Sequence, residues 1–425
     1  MKKKILIIAQ NFYPEFGSAS NRITNLAKEL ADGGFEVDVL TAFPVGNAGD
    51  ALKDNPDGDF DNANVRVFRL EAVKNSKVFK NLTRIRRYMD FYLKSRSFIK
   101  EQKGQYDLVI ASSPQLMIGL SGCYAKKKNR CPFIFEVRDL WPESIKALGI
   151  INNRPLLWVL YKVEQYIMKQ SDKICVNSRG FIPYISKKGH EDKVFFVPNF
   201  ISRAQSSLRK SYKKPTDGLR VIFAGNIGYA QRLENLLKTA RETAHIPDIT
   251  YTIVGSGVER RHIKDLTAQW ELTNVKIMGS MPREKALKFV LKHDVCYVHL
   301  SGHPCFETVF PGKMIDWMGM GMATVAGVAG YPRNVLVQSG GALIFDPGDH
   351  IAAAKHITML YEDKSRLAVM GQNAFEYARE NFDAQTNAAR YINTIQGCEE
   401  SAFQAKSVHF VHFFKRHSAR RSGEA

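Results

Sequence analysis

The chain has 425 residues, 44% of them hydrophobic and 24% charged, with 61 Lys and Arg against 42 Asp and Glu and a formal charge of +19. That length exceeds the roughly 100–200 residues that one core usually serves, so two domains are expected, and the composition excludes a collagen-like, low-complexity or mainly disordered chain. The positive charge invites an anionic partner, whether nucleic acid, an anionic membrane face or a phosphorylated substrate.

The apolar run behind the N-terminal lysines is only Ile5 to Ala9, too short for a signal peptide, and no later segment reaches 18 uninterrupted apolar residues. A cytoplasmic location is expected, with peripheral membrane contact left open. Ile5 to Ala9 reads as a strand buried on both faces. A Pro- and Gly-containing loop follows, Phe12 to Ser20. Next comes a helical pattern (Ile23, Leu26, Ala27, Leu30) closed by Gly33 and Gly34, and then a strand from Val37 to Thr41. This is the βαβ unit of a parallel sheet. Val65 to Leu70, Leu108 to Ala111, Phe133 to Val137 and Lys173 to Asn177 continue the strands, with a helix at Leu156 to Lys169.

A polar stretch, Ser202 to Gly218, suits a linker. Beyond it a second series predicts strands at Arg220 to Ala224, Ile249 to Val254, Val275 to Met278, Val295 to His299, Ala323 to Val328 and Leu343 to Phe345. Helical patterns fall at Leu233 to Thr243, Glu259 to Gln269, Pro282 to Leu291 and Phe310 to Met318. Three more close the chain, Ile351 to Tyr361, Ser365 to Asn381 and Ala384 to Ile395, before a polar, basic tail. The expected fold is α/β, with two doubly wound Rossmann-like domains facing across a cleft. The first spans 1–200 and is completed by a crossing helix at 384–396; a linker covers 201–218, the second domain 219–383, and the tail 397–425. In such sheets ligands sit beyond the carboxyl ends of the strands. The six cysteines have no metal-ligand spacing, and Cys175 and Cys296 read as small buried hydrophobes.

The loops after strands hold the candidate site. Gly17, with Ser18 to Ser20, opens the first helix and lets a ligand approach its backbone N–H groups. Arg22, in that helix's first turn, opposes the dipole unless an anion rests there. After Phe133 to Val137 come Arg138, Asp139, Trp141 and Glu143, a charged cluster beside an aromatic ring. Gly225-Asn226-Ile227-Gly228 and Gly255-Ser256-Gly257 resemble phosphate-cradling turns, but neither completes a dinucleotide fingerprint. The stretch from His303 to Met318 is richest. Pro311 and Gly312 suit a helix start that would offer N–H groups to a phosphate, Lys313 adds a full charge, and Asp316 sits one turn on for a ribose diol. No obvious Asp-x-Asp stands directly at the end of a strand, so charge stabilisation by the protein is expected in place of a bound metal.

With these residues in view, the chain resembles the retaining, nucleotide-sugar-dependent glycosyltransferases of family 4, of glycosyltransferase-B fold. It is most similar to the bacterial branch that builds O-antigen, capsule and exopolysaccharide, including the L-fucosamine transferase type. The resemblance rests on Phe306 to Gly321, Ser339 to Asp349, Val137 to Ser144, Gln10 to Glu15 with Gly17, and Val197-Pro198-Asn199. It implies metal-independent transfer with retention. The donor, a UDP-sugar or less favoured GDP-sugar, would lie mainly on the C-terminal domain, and a polyprenyl-diphosphate-linked saccharide acceptor mainly on the N-terminal one. Lys313, Asp139 and Glu307 would be catalytic. Gly17, Gly225, Asn226, Gly228, Arg232, Gly255, Gly257, Pro311, Gly312 and Asp316 would bind the nucleotide sugar. The sequence departs from the family where Asn226 and Gln231 replace an Arg and a Lys, Asp139 replaces a His, Asp316 replaces a Glu, and Gly321-Met322-Ala323 replaces Gly-Lys-Pro.

Between residues 74 and 103 basic residues far outnumber acidic ones, and Phe79, Leu82, Ile85, Met89 and Tyr92 recur at helical steps. This predicts an amphipathic element on anionic lipid, placing the protein on the inner face of the bacterial plasma membrane. The alternatives are a soluble acceptor, a UDP-sugar epimerase of the same fold, or a non-catalytic protein that binds nucleic acid or anionic membrane. No nucleic-acid-reading module is visible, and the sequence leaves the oligomeric state open.

Overall fold

The structure is a computed structural model that describes residues 2–15, 17–44, 60, 62–71, 80–201, 207–212 and 217–396. Residues 74–79 of the basic stretch, Cys398 with the rest of the tail, and 202–206 and 213–216 of the linker lie outside the described residues.

Two parallel sheets form, each flanked by helices. The first contains β1 (Lys4–Ile8), β2 (Glu36–Ala42), β3 (Val65–Leu70), β4 (Leu108–Ser112), β5 (Phe133–Val137), β6 (Lys173–Val176) and β7 (Val194–Phe196), ordered β3-β2-β1-β4-β5-β6-β7. The second contains β8 (Leu219–Ala224), β9 (Ile249–Val254), β10 (Val275–Met278), β11 (Val295–His299), β12 (Ala323–Gly327) and β13 (Ala342–Phe345), ordered β10-β9-β8-β11-β12-β13. Strand order reverses between β1 and β4 and between β8 and β11. Those are the switch points where connections depart to opposite faces and a crevice opens.

The continuous apolar runs follow from burial on both sides. Leu6 and Ile8 enter one core with Phe91, Ile118 and Ile167, while Ile5 and Ile7 enter the other with Ile23, Leu26 and Leu30. β8 divides in the same way, Ile222 to one side and Val221 and Phe223 to the other. Cys175 and Cys296 are fully buried, as their apolar surroundings predict.

The helices are α1 (Ser18–Asp32), α2 (Lys80–Glu101), α3 (Leu116–Asn129), α4 (Glu143–Ala147), α5 (Arg154–Gln170) and α6 (Ile182–Ser186) in the first half. Then come α7 (Glu234–Glu242), α8 (Arg260–Gln269), α9 (Arg283–Val290), α10 (Gly312–Gly319), α11 (Gly330–Ser339), α12 (His350–Glu362), α13 (Ser365–Asn381) and α14 (Ala384–Gln396). The last helix returns to the first half. Tyr391 is buried in the core of Ile5 and Ile7 with its ring 5.3 Å from Phe195, and Ile201 pairs with Asp383 where the chain crosses between sheets. Among the described residues no helix is long and apolar enough to cross a membrane.

Some elements differ from expectation. β7, α3, α4, α6 and α11 are additional: β7 is only three residues long, α4 and α6 five each, and the Gly-Tyr-Pro opening of α11 reads as a turn. On α2 the buried stripe is Phe91, Ser95 and Ile99, with Ser95 Oγ 2.7 Å from Ser121 Oγ on α3. Met89, expected on the apolar stripe, is exposed together with Leu93.

Candidate functional site

A cleft of about 570 Å³ lies at the carboxyl ends of the strands and is lined by both halves. Gly17, Ser18, Arg138 and Asn199 line it from the first half; Gly225, Asn226, Gly255, Pro311, Gly312, Lys313 and Asp316 line it from the second. The two sides come close. A side chain at Gly312 would stand 2.9 Å from Ser18 Oγ, and one at Gly180 would strike the Thr308 carbonyl at 2.4 Å. Ser178 Oγ donates to that same carbonyl.

The glycine turns after β8 and β9 form the floor. Gly225 and Gly255 have φ of 145° and 152°, and a Cβ on Gly255 would stand 1.8 Å from the Gly225 carbonyl. The turns therefore stack backbone on backbone, which only glycine allows. Asn226 Nδ2 lies 3.5 Å from Gln231 Oε1, which also accepts from Gly228 N at 3.1 Å. These residues, standing where the family implies cations, thus tie the turn together.

Lys313 is the second residue of α10. Its Nζ sits 3.8 Å from the Phe223 ring centroid and 5.7 Å from that of Trp317, beside Gly225. Although part of the residue reaches the cleft, the ammonium itself is buried and has no hydrogen-bond partner among the described residues. Burial pushes its pKa down to about 7.

One turn further on, both Asp316 oxygens accept from Arg283, Nη1 at 3.0 Å and Nη2 at 2.9 Å. Arg283 opens α9 and lines the cleft. Sequence reasoning missed it; the available signal was a basic residue in a helix's first turn, where the dipole disfavours it. The same signal singled out Arg22, and there the structure corrects the expectation of an external anion. Arg22 is buried and faces Glu136 of β5, with Nη2 2.7 Å from Oε1 and Nε donating to it at 2.8 Å. Its Nη1 donates to the Pro198 carbonyl at 2.7 Å. Burial works against both charges, yet each partner keeps the other ionised: the Arg22 pKa is raised and the Glu136 pKa lowered, with Arg138 contributing to the latter.

Arg138 turns its guanidinium toward α1, Nη1 donating to the Ala19 carbonyl at 3.1 Å, while Nε is buried without a hydrogen-bond partner. Burial lowers its pKa to about 10, with Glu136 opposing. Asp139 is not among the residues that line the cleft and accepts from Ser144 Oγ at 3.0 Å; burial raises its pKa. Glu143 accepts from Tyr161.

Glu307, Gly228, Arg232 and Gly257 also fall outside the lining. Glu307 is held against Gly330, and Gly257 against the Ile227 carbonyl. Arg232 is exposed, with φ of 44°. Below the turns His299 is neutral, its pKa lowered to about 4 by burial, and Nε2 accepts from Gly348 N at 3.0 Å. Among the described residues one trio, Glu234, Glu259 and His262, brings three metal-capable atoms within 4.8 Å of one another, away from the cleft.

Comparison with known proteins accords with this architecture. Residues 17–199 match the glycosyl transferase 4-like domain, and residues 204–377 match glycosyl transferases group 1. The chain is a glycosyltransferase of the glycosyltransferase-B fold. It is 23% identical over 420 residues to WcaI of Escherichia coli K12, named as a colanic acid biosynthesis glycosyl transferase, covering 93% of this chain and 100% of that one. Among solved structures it is similar to a sucrose-phosphate synthase of Thermosynechococcus elongatus, with a TM-score of 0.73 and 18% identity over 93% of this chain and 99% of the other. Anabaena Alr3699/HepE, solved with UDP and glucose, gives a TM-score of 0.68 and 17% identity, again over 93% and 99%.

Proposed function

We propose that this enzyme is a metal-independent retaining glycosyltransferase of family 4. It would move a sugar, an N-acetylated amino sugar by kinship, from UDP to a lipid-diphosphate-linked saccharide in cell-surface polysaccharide synthesis. The observation that carries the reading is Lys313, a buried cation without a hydrogen-bond partner, beside glycine turns and a helix start in a cleft shared by two Rossmann-like sheets. That HepE was solved with UDP and glucose supports a UDP donor.

In this reading the second half, 219–383, holds the donor and the first, 1–200 with helix 384–396, holds the acceptor. The turns at Gly225 and Gly255, free of side chains, give the diphosphate room beside the backbone, the helix start at Gly312 offers it N–H groups, and Lys313 meets the charge that grows on it as the glycosidic bond breaks. Asp316, oriented by Arg283, accepts from the ribose hydroxyls. The sugar passes through an oxocarbenium-like state. The departing phosphate takes the acceptor's proton, and the acceptor oxygen attacks from the face the nucleotide leaves, which retains configuration. Glu307 would reach the donor sugar's hydroxyls, and Asp139 the acceptor, through small movements of their loops on closure. Closure also excludes water and limits hydrolysis.

The test is a screen of purified protein with UDP- and GDP-sugars and a lipid-linked acceptor, read by mass increment and linkage analysis. One UDP-sugar should give one added residue with the anomeric configuration retained. Product from a GDP-sugar alone would reassign the donor, and interconversion of hexosamine epimers without acceptor would replace transfer by epimerisation.

A further inference from the structure

The exposed face of α5 is unusual for a surface helix. Trp158 is 62% exposed, Val159 46% and Leu156 41%, within the first two turns. Apolar side chains normally face the core, and here Leu157, Ile167 and Met168 do so. The exposed charged residues of α5 itself carry one sign of charge. Arg154, Lys162 and Lys169 are exposed, and Lys162 Nζ lies 5.5 Å from the Trp158 ring centroid. The helix's only carboxylate, Glu164, is buried under Lys188 at 2.7 Å and Tyr184 at 3.0 Å. Its charge is therefore met from within.

This face also has a defined place. α5 begins after the connection that leaves the carboxyl end of β5, and its Tyr161 donates to Glu143, the first residue of α4 in that connection. From the other side Tyr88 of α2 packs on Trp141 of the same connection, with ring centroids 6.2 Å apart. Exposed Met89 and Leu93 follow on α2. Both helices thus brace the connection whose first residue, Arg138, lines the cleft.

We propose that the Leu156, Trp158 and Val159 face of α5, with Lys162, docks the enzyme on an anionic lipid bilayer beside the mouth of the cleft. An exposed indole flanked by cations suits the headgroup boundary, where the ring is half-immersed and each Lys or Arg meets lipid phosphate. A protein partner of mixed charge would leave the exposed basic side chains of α5 unmatched. The docking itself stands on α5 alone; that it presents a lipid-linked acceptor rests on the function proposed above.

The experiment is sedimentation of the full chain with phosphatidylcholine vesicles containing or lacking about 30% phosphatidylglycerol. Wild type should bind the anionic vesicles. Trp158→Ser with Val159→Ser should lose at least ~10-fold in partitioning, and Lys162→Glu should weaken binding to anionic vesicles only. Brominated lipid should quench wild-type emission more than that of Trp158→Phe. Equal quenching of the two would overturn the proposal, as would unchanged sedimentation of the double variant. So would a wild-type dimer that the double variant splits without any vesicle binding. UDP affinity on the same preparations separates the two claims. Vesicle binding without UDP binding counts against the proposed reaction alone; UDP binding without vesicle binding counts against the docking face alone.

Discussion

Arg22 and Lys313 are both cations near the start of a helix that opens after a strand, one in each half of the molecule, and both hold their charged group buried. Arg22 is fully satisfied from within by Glu136, the Pro198 carbonyl and Asn199. Lys313 has aromatic rings for neighbours and no hydrogen-bond partner among the described residues. Leaving a charge in that state costs free energy, and folded proteins rarely keep one unmet without cause. The first cation holds the fold together at the end of the first half; the second stands ready for an anion that the chain does not supply. Removing each should therefore have opposite signatures.

The largest effect is expected at Arg22. Glu136→Ala leaves that guanidinium buried and unmatched and should destabilise the first half by about 3–5 kcal/mol. Thermal unfolding should show it, with UDP affinity of the folded fraction nearly unchanged. Lys313→Met should do the reverse. Stability should hold or rise, since a desolvated charge is replaced by a thioether. If Lys313 stabilises the leaving diphosphate, kcat should fall by about 10²–10³ with a smaller change in donor KM. A Lys313→Met enzyme with intact kcat would remove the centre of the proposed mechanism.

The two cations also separate by pH. The pKa of Lys313 is about 7 in the folded protein against roughly 10.4 unfolded. Below pH 7 both states carry the proton and the folded state bears the desolvation cost. Between pH 7 and 10 the unfolded state binds more protons, so this group makes stability rise with pH. A bound diphosphate raises the Lys313 pKa, so nucleotide binding takes up a proton near neutrality. Affinity should fall by up to ~10-fold per pH unit as pH rises above 7. Calorimetry in buffers of different ionisation enthalpy should detect the uptake, and Lys313→Met should reduce it to whatever the terminal phosphate of UDP contributes.

Much of the scaffold was legible because burial on both faces of a parallel sheet writes unbroken apolar runs. Ile249 to Val254 and Phe133 to Val137 are strands as expected. The residues directly after those strands, Arg138 and Gly255, do line the cleft, because a doubly wound sheet sends its connections there, while Asp139 and Gly257 just beyond them do not. Pairings between residues far apart in sequence were not legible. Glu136 sits inside an apolar strand, 114 residues from Arg22, and only folding brings them together. Placement relative to the cleft was equally hidden for Gly257, whose spacing resembles a ligand-facing glycine but which clears the Ile227 carbonyl. For α2 the helical period was visible but its phase was not: neighbouring α3 selects Ser95 for burial, which turns Met89 outward.

The smallest expected effect concerns Arg283 and Asp316. Their forked pair is partly exposed, with side chains 27% and 15% accessible, so its contribution to stability should be below ~1 kcal/mol. Its value would lie in orientation. Lysine cannot reproduce the two parallel hydrogen bonds, so Arg283→Lys should raise donor KM a few-fold through a looser carboxylate while kcat stays nearly constant. Asp316→Asn then divides two cases. If the carboxylate accepts from the ribose hydroxyls, the amide should cost more than Arg283→Lys does, and a 2′-deoxy donor should erase part of the difference. If Asp316 serves only to hold Arg283 against the cleft wall, the two variants should be equally impaired and indifferent to the 2′-hydroxyl.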